Sequence, residues 1–258
     1  MALARISKVM VCFGLLTGGC AAPPTPAPTP PASPTVAVRP AMEASPAPAE
    51  NPFTQARLEM VRDTIEARGV TGTDVLRVMR TVPRHVFVPH GYLNEAYADH
   101  PLPIGYGQTI SQPYIVAWMT AGSGYQAAVL AELGYVEVYS IEIIPELAGQ
   151  AADRLRALDY TKIQLKQGDG YYGWEEHAPF NAIIVTAAPD HLPSPLAAQL
   201  ADGGRLVIPI GPPGGYQSLW KFVKQGEDLK AYDMGGVAFV PFTGGGMEGD
   251  APAATSSP

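Results

Sequence analysis

The chain of 258 residues contains 27 glycines and 27 prolines, carries a formal net charge of −7 and has only two cysteines. An acidic balance disfavours a non-specific nucleic-acid-binding protein, and two cysteines are too few for a disulfide framework or a multi-cysteine zinc site. Ten of the prolines fall within residues 21–50, so the unusual composition is local. Residues 51–244 have ordinary composition and are numerous enough for one domain with a sizeable core.

The first 20 residues resemble a bacterial export signal. Arg5 and Lys8 are positively charged, an apolar run covers residues 9–16, and small residues precede Cys20. The apolar run is too short to cross a bilayer as a helix of the mature protein. We expect a leader of the lipoprotein type, with Cys20 lipidated, an exported periplasmic product and no membrane contact besides this anchor. An ordinary secretory signal and an uncleaved anchor are the alternatives.

Two segments that flank the domain are too polar or too rich in proline to form a core. Residues 21–50 consist mainly of Ala, Pro, Thr and Ser, and this composition predicts a disordered, semi-rigid linker. Residues 245–258 are rich in small residues and predict a disordered tail.

Inside the domain, apolar positions three and four apart predict a helix over residues 54–68, and a second one follows over residues 75–81. A loop rich in glycine and proline then covers residues 99–112, and loops of this length are often functional. From there, apolar runs alternate with short helical segments. Strands are predicted at residues 136–144, 163–166, 180–185, 204–210, 219–223 and 237–240, and helices at residues 126–132, 145–158 and 193–200.

This alternation of strands and helices predicts a three-layer α/β fold of the Rossmann-like kind with a mostly parallel sheet. Ligands of such sheets bind at the carboxyl ends of the strands. Two features fall there. A Gly-Ser-Gly sequence at residues 122–124 precedes a helix, and Glu142 ends a strand eighteen residues later. The spacing fits a dinucleotide-binding loop and a nucleoside-binding methyltransferase loop equally well, and a plain tight turn also explains it. Asp169 and Gly170 follow the next strand, where an Asp suits an adenine amino group, although Asp-Gly is also a common turn.

The residues before the glycine loop are more specific. The sequence reads Pro-Arg-His-Val-Phe-Val-Pro at residues 83–89, Tyr-Ala-Asp at residues 97–99 and Ile-Gly-Tyr-Gly-Gln-Thr-Ile-Ser-Gln-Pro at residues 104–113. This pattern resembles the protein-L-isoaspartate O-methyltransferase family. The likeness covers about residues 54–244. Further stretches that match the family lie downstream, at residues 124–128, 168–171, 182–188, 203–209 and 240–244.

The resemblance implies an enzyme that uses S-adenosylmethionine to methylate the free carboxylate of isoaspartyl residues in damaged proteins. The methyl ester then collapses to a succinimide, which partly reopens to normal aspartate. We expect a monomer, and we expect no metal because the sequence shows no metal-ligand spacing. Transferred by motif, the active-site serine is Ser111. The cofactor-binding residues are Gly122, Ser123, Gly124, Glu142, Asp169 and Gly170, and the substrate-binding residues are Ile104, Gly105, Gln108, Thr109 and Gln112.

The reaction needs no strong base, because an isoaspartyl carboxylate is ionised at neutral pH. We expect Ser111 to orient this carboxylate by hydrogen bonding, since the sequence offers no histidine placed to activate a nucleophile. Positioning of the reactants and exclusion of water then supply most of the catalysis.

The chain departs from the family pattern at one point. In the family, a turn and the first central strand separate the helix after the Ser-Gln-Pro motif from the glycine loop, whereas here residues 115–120 run directly into residue 121. About twenty residues are absent, at the switch point of the sheet where the cofactor binds. We hold three explanations. In the first, the chain is a deletion of an active ancestor, natural or from sequencing, and the protein is impaired. In the second, Tyr114 to Met119 becomes the missing strand and weak activity survives. In the third, the domain is a non-catalytic binding module.

Two further functions remain open from the sequence. One is a lipid-anchored, non-catalytic binding protein derived from this fold, and the other is a nicotinamide-dependent oxidoreductase that uses the same glycine loop. The oxidoreductase gives residues 104–113 no role. An exported methyltransferase also lacks its cofactor, which is made in the cytoplasm, so the alternative location is the cytoplasm.

Overall fold

The computed structural model describes residues 7–12, 51–119, 124–212 and 214–249. The strands are β1 (Ser7–Cys12), β2 (Leu102–Gly105), β3 (Gln108–Ile110), β4 (Val136–Glu142), β5 (Gln164–Gln167), β6 (Phe180–Val185), β7 (Leu200–Ile210), β8 (Gln217–Gln225) and β9 (Asp228–Val237). The helices are α1 (Pro52–Met60), α2 (Thr73–Thr81), α3 (Pro113–Met119), α4 (Tyr125–Ala131), α5 (Pro145–Ala157), α6 (Ser194–Ala198) and α7 (Gly245–Gly249).

Seven strands form one sheet in the order β5-β4-β1-β6-β7-β8-β9, and β2 and β3 form a separate hairpin. The five strands from β5 to β7 are parallel, whereas β8 and β9 join them antiparallel at one edge. The predicted α/β fold with a mostly parallel sheet is confirmed. No helix among the described residues is long and apolar enough to cross a membrane.

The central strand of the sheet comes from the N-terminal segment. Strand β1 pairs with β4 along all six of its residues and with β6 along its last four. The predicted domain boundary at residue 51 therefore leaves out one strand, which the sequence pattern assigned to an export leader. The expectation that Tyr114 to Met119 replaces the missing strand is wrong, because these residues belong to helix α3.

The composition of β1 explains its place between two neighbours. A strand covered on both faces needs apolar side chains at successive positions instead of alternating ones. Met10 and Cys12 pack into the core on one face of the sheet, and Val9 and Val11 pack into the core on the other. All four residues are at most 5 % exposed. The apolar run that resembles a leader is therefore equally suited to the middle of a parallel sheet.

The first helical segment covers the predicted range of residues 54–68 but changes its pitch along the way. Helix α1 continues into a π-helical turn at Val61–Ile65 and a 3₁₀ turn at Glu66–Arg68. Gly69 ends the segment with a φ of +89°, the left-handed conformation for which glycine is favoured.

The C-terminal strands depart most from the predicted elements. The last strand occupies Asp228–Val237 and not residues 237–240, since it forms a hairpin with β8 at the edge of the sheet. This strand is mostly exposed and polar, so its residues give little hydrophobic signal. Residues 238–240 continue beyond the strand, and there Phe239 N donates to Gln217 Oε1 at 2.7 Å.

We predict that Val11→Asp destabilises the domain by at least about 3 kcal/mol, because it buries an unpaired charge in the central strand. The measurement is the free energy of unfolding from urea denaturation followed by circular dichroism. Ser7→Asp introduces the same charge at the half-buried start of the strand and is the matched control, with an expected loss below about 1 kcal/mol. Equal losses in the two variants would contradict the central position of β1.

Candidate active site

A cavity of about 820 Å³ contains the residue predicted to be catalytic, and we call it the Ser111 cavity. Thr109 and Gln112, two of the predicted substrate residues, line it together with Ser111. The remaining walls are mainly aromatic and apolar. They include Arg68, Tyr114, Ile115, Trp118, Thr186 and Tyr216.

The hairpin of β2 and β3 carries Ser111 to the cavity. Gly105, Tyr106 and Gly107 form its turn, all with positive φ values of 94°, 53° and 70°. Glycines at two of these three positions make this conformation accessible. Gly105 therefore shapes the hairpin turn, Gln108 is buried in β3, and Ser111 follows β3 directly.

Asp99 holds the segment on either side of Ser111 in place. Its carboxylate accepts from Gln112 Nε2 at 2.8 Å, from Tyr114 N at 2.9 Å and from Arg68 Nη1 at 2.9 Å. The Tyr114 bond satisfies a free N–H in the first turn of α3, which no backbone carbonyl of that helix can reach. Asp99 is thus a positioning residue for the Ser111 segment.

Among the described residues that line the Ser111 cavity, Arg68 is the one with a cationic Lys or Arg side chain. Its guanidinium lies 3.5 Å from the centre of the Tyr114 ring while it donates to Asp99. Neither Arg68 nor Asp99 is among the site residues predicted from the sequence. Asp99 lies in the Tyr-Ala-Asp motif, so a signal for it was present, whereas nothing in the sequence indicates Arg68.

A second cavity, of about 210 Å³, lies around Glu142. Glu142 ends strand β4, and its Oε1 accepts from Ile144 N at 2.9 Å. Burial raises the pKa of the Glu142 carboxyl to about 7, although this backbone hydrogen bond opposes the shift. Ile104, predicted to bind substrate, lines this cavity and not the Ser111 cavity. Among the described residues, none lines both cavities.

Gly124 also lines the Glu142 cavity and begins helix α4. Its φ is +66°, and a Cβ at this position would lie 3.2 Å from Ala151 Cβ. The predicted cofactor residues Gly122 and Ser123 lie outside the described residues.

Asp169 and Gly170 follow β5 at the carboxyl edge of the sheet. The Asp169 carboxylate accepts from Tyr171 N at 2.9 Å and from Gly246 N at 3.2 Å, so the first turn of α7 reaches this site. A Cβ at Gly170 would lie 2.7 Å from Cys12 Cβ, which is why only glycine fits beside the end of β1.

These residues fit a nucleoside-containing methyl donor. Glu142 offers a half-buried carboxylate that can accept from two ribose hydroxyls, and Gly124 lines the same cavity at the start of α4. Asp169 lies at the end of a neighbouring strand, held by backbone N–H groups. The arrangement matches the binding of nucleotides at the carboxyl edge of doubly wound sheets.

Comparison with known proteins decides between the families that share this loop. Residues 55–247 match the family described as protein-L-isoaspartate(D-aspartate) O-methyltransferase. The chain belongs to the protein-L-isoaspartate O-methyltransferase family. Membership confirms the resemblance and the expectation of an S-adenosylmethionine-dependent methyltransferase, and it leaves no ground for a nicotinamide-dependent oxidoreductase.

Named relatives agree with this assignment. Protein-L-isoaspartate O-methyltransferase 2 from Shewanella sediminis is 49 % identical over 207 residues, which cover 74 % of this chain and 84 % of that protein. Protein-L-isoaspartate O-methyltransferase from Picosynechococcus is 52 % identical over 209 residues, covering 75 % of this chain and 93 % of that protein.

Solved structures show the same fold. A protein-L-isoaspartate O-methyltransferase aligns with a TM-score of 0.66 at 25 % identity over 74 % of this chain and 66 % of that one. A Plasmodium falciparum protein of this kind, crystallised with S-adenosyl-L-homocysteine, aligns with a TM-score of 0.63 at 22 % identity over 72 % of this chain and 98 % of that one.

We predict that Asp99→Asn lowers kcat/KM for methyl transfer about 10- to 100-fold, because the amide cannot accept from all three donors and the Ser111 segment shifts. The affinity for S-adenosylmethionine, measured by calorimetry, should change less than about twofold, since Asp99 does not line the Glu142 cavity. Asp153→Asn, an exposed exchange of the same kind on α5, is the control. A parallel loss of cofactor affinity and kcat/KM would contradict a role confined to the Ser111 segment.

We predict that cofactor affinity rises about tenfold between pH 6 and pH 8, because ribose hydroxyls donate most strongly to an ionised Glu142 carboxylate, whose pKa is about 7 in the free protein. Calorimetric titrations across this range give the affinities. The Glu142→Gln variant should bind more weakly and keep only the pH dependence that the ligand itself contributes.

The same group makes a separate contribution to stability. The folded carboxyl has a pKa of about 7 and the unfolded one its ordinary value of 4.5, so the unfolded state ionises first as the pH rises. The free energy of unfolding should therefore fall between about pH 4.5 and pH 7 by at most about 3 kcal/mol, and Glu142→Gln should remove this decline. A wild-type decline that persists unchanged in the variant would refute the assignment.

Proposed function

We propose that this chain methylates the free carboxylate of isoaspartyl residues in damaged proteins, with S-adenosylmethionine as the methyl donor. The observation that carries the proposal is the Ser111 cavity, where Thr109, Ser111 and Gln112 of the family signature form one wall of a cleft large enough for a peptide side chain. The relatives that are about 50 % identical over most of the chain are named for this activity.

The residues of the Ser111 cavity and Asp99 beside it perform three tasks in this mechanism. Ser111 donates its hydroxyl proton to one oxygen of the isoaspartyl carboxylate and leaves the other oxygen free to attack. Tyr114 and Trp118 line the cleft with aromatic surface and exclude water from the reacting groups. Asp99 keeps the Ser111 segment in position through its three hydrogen bonds.

On the cofactor side, Glu142 and Gly124 would hold the nucleoside, and Asp169 would contact the adenine. The bound cofactor supplies an electrophilic methyl group on a positively charged sulfur. The attack on it needs no proton transfer and no covalent bond to the protein, since the carboxylate is ionised at neutral pH. Catalysis then rests on aligning the carboxylate with the methyl group in a site closed to water.

We propose further that the active form is a monomer in the cytoplasm. The cofactor is made there, and removal of a leader before Cys20 during export would take away the segment of β1 before the sheet forms. The lipoprotein form, exported and anchored through Cys20, is in this proposal a product without methyltransferase activity. Partners besides isoaspartyl proteins or peptides are not required.

We predict labelled-methyl transfer to a peptide that contains one isoaspartyl residue and none to the same peptide with normal aspartate. Ser111→Ala should lower kcat/KM about 10- to 100-fold and leave the affinity for S-adenosylmethionine unchanged, because it removes the group that orients the substrate and not one that holds the cofactor. The assay is scintillation counting of base-labile methyl ester. Equal methylation of both peptides, or none by protein that binds the cofactor, would count against the proposal.

A further inference from the structure

Strand β1 reaches the sheet from outside the contiguous domain. Residues 13–51 separate it from α1, and these 39 residues contain ten prolines. Only five residues join α3 to α4, too few for a turn and a strand. Without β1, strands β4 and β6 would face each other across a gap one strand wide, which we call the β1 slot.

The β1 slot has defined requirements for its occupant. A strand in it must run parallel to both neighbours and must satisfy backbone hydrogen bonds on two edges. It must also place apolar side chains in both cores, as residues 9–12 do. At the entrance, Lys8 N donates to Asn181 Oδ1 at 2.9 Å and Lys8 Nζ donates to the His177 carbonyl at 3.0 Å. The slot therefore fits a short apolar strand preceded by a lysine.

The occupied slot supports both halves of the active site. The Cys12 carbonyl accepts from Thr186 N and Thr186 Oγ1, each at 3.2 Å, and Thr186 lines the Ser111 cavity. On the other side of β1, Cys12 Cβ lies against Gly170, next to Asp169. The end of β1 thus contacts the substrate side and the expected adenine contact at once.

We propose that the β1 slot is a strand-binding surface whose occupant is the segment Ser7–Cys12 of the same chain, held without covalent continuity. The segment stays in the sheet when the connection over residues 13–50 is cut, and a peptide of this sequence can refill an empty slot. The methyltransferase domain is complete only where this segment is present. Leader processing and assembly of the sheet therefore compete for the same six residues.

The test uses the full chain with a specific protease site in place of residues 30–35. After cleavage, size-exclusion chromatography and mass spectrometry should find the N-terminal fragment bound one to one. The thermal unfolding midpoint should stay within about 3 °C of that of the uncut protein, because the fragment contributes its contacts whether or not it is tethered. Separation of the fragment in native buffer would overturn the proposal, whatever the midpoint of the remainder.

A second step tests refilling of the slot. The cut protein is unfolded in urea, the fragment is removed, and the remainder is refolded with or without a synthetic peptide of residues 5–14. Cooperative unfolding should return only with the peptide, and the same peptide with Val11→Asp is the matched control. Refolding without peptide to the original midpoint would contradict the proposal, and so would equal rescue by the control.

The origin of the occupant is tested by mixing two differently tagged preparations of the uncut protein. A monomeric mass without co-purification of the tags supports insertion within one chain. A dimer in which one chain's fragment remains on the other after cleavage would overturn it in favour of a second copy as donor. None of these measurements uses methyl transfer, so a failure here is distinguishable from a failure of the proposed function.

Discussion

The backbone of β1 is hydrogen-bonded on both edges, and much of the molecule depends on this double pairing. In a parallel sheet the central strand has no solvent-facing edge, so each of its amide groups needs a partner in β4 or β6. The flanking strands carry Glu142, which ends β4, and Thr186, which directly follows β6. The distance between the two halves of the site is therefore set by the width of one strand.

The two halves of the site depend on different interactions. Around Ser111, a carboxylate with three donors fixes the backbone, and the charges of Asp99 and Arg68 compensate each other. Around Glu142, burial opposes ionisation, and the pKa near 7 leaves the group poised between its two forms. One side is held rigid by satisfied hydrogen bonds, while the other remains available for a ligand with hydroxyl donors.

Local sequence patterns predict the fold class, because apolar runs alternate with helical segments along the chain, and they predict β6 at its observed bounds. They do not predict elements whose structure depends on contacts with residues far away in the sequence. The apolar run over residues 9–16 is equally typical of an export leader and of a strand buried on both faces. Only the pairing of residues 7–12 with β4 and β6 distinguishes the two interpretations. The motif of residues 104–113 identified Ser111, but the role of Asp99 depends on contacts with side chains up to 31 positions away. Strand β9 was displaced because an exposed edge strand has little apolar pattern.

The central strand β1 is synthesised long before the second strand with which it pairs. Residues 7–12 leave the ribosome well before their partner β6, which ends at Val185, 173 residues after Cys12. At about 5–20 residues per second, translation leaves the segment without its second partner for roughly 10–35 s. Throughout this interval the apolar side chains of residues 9–12 lack the second strand that covers them in the finished sheet. The rate of translation therefore sets how long the sheet remains incomplete at its centre.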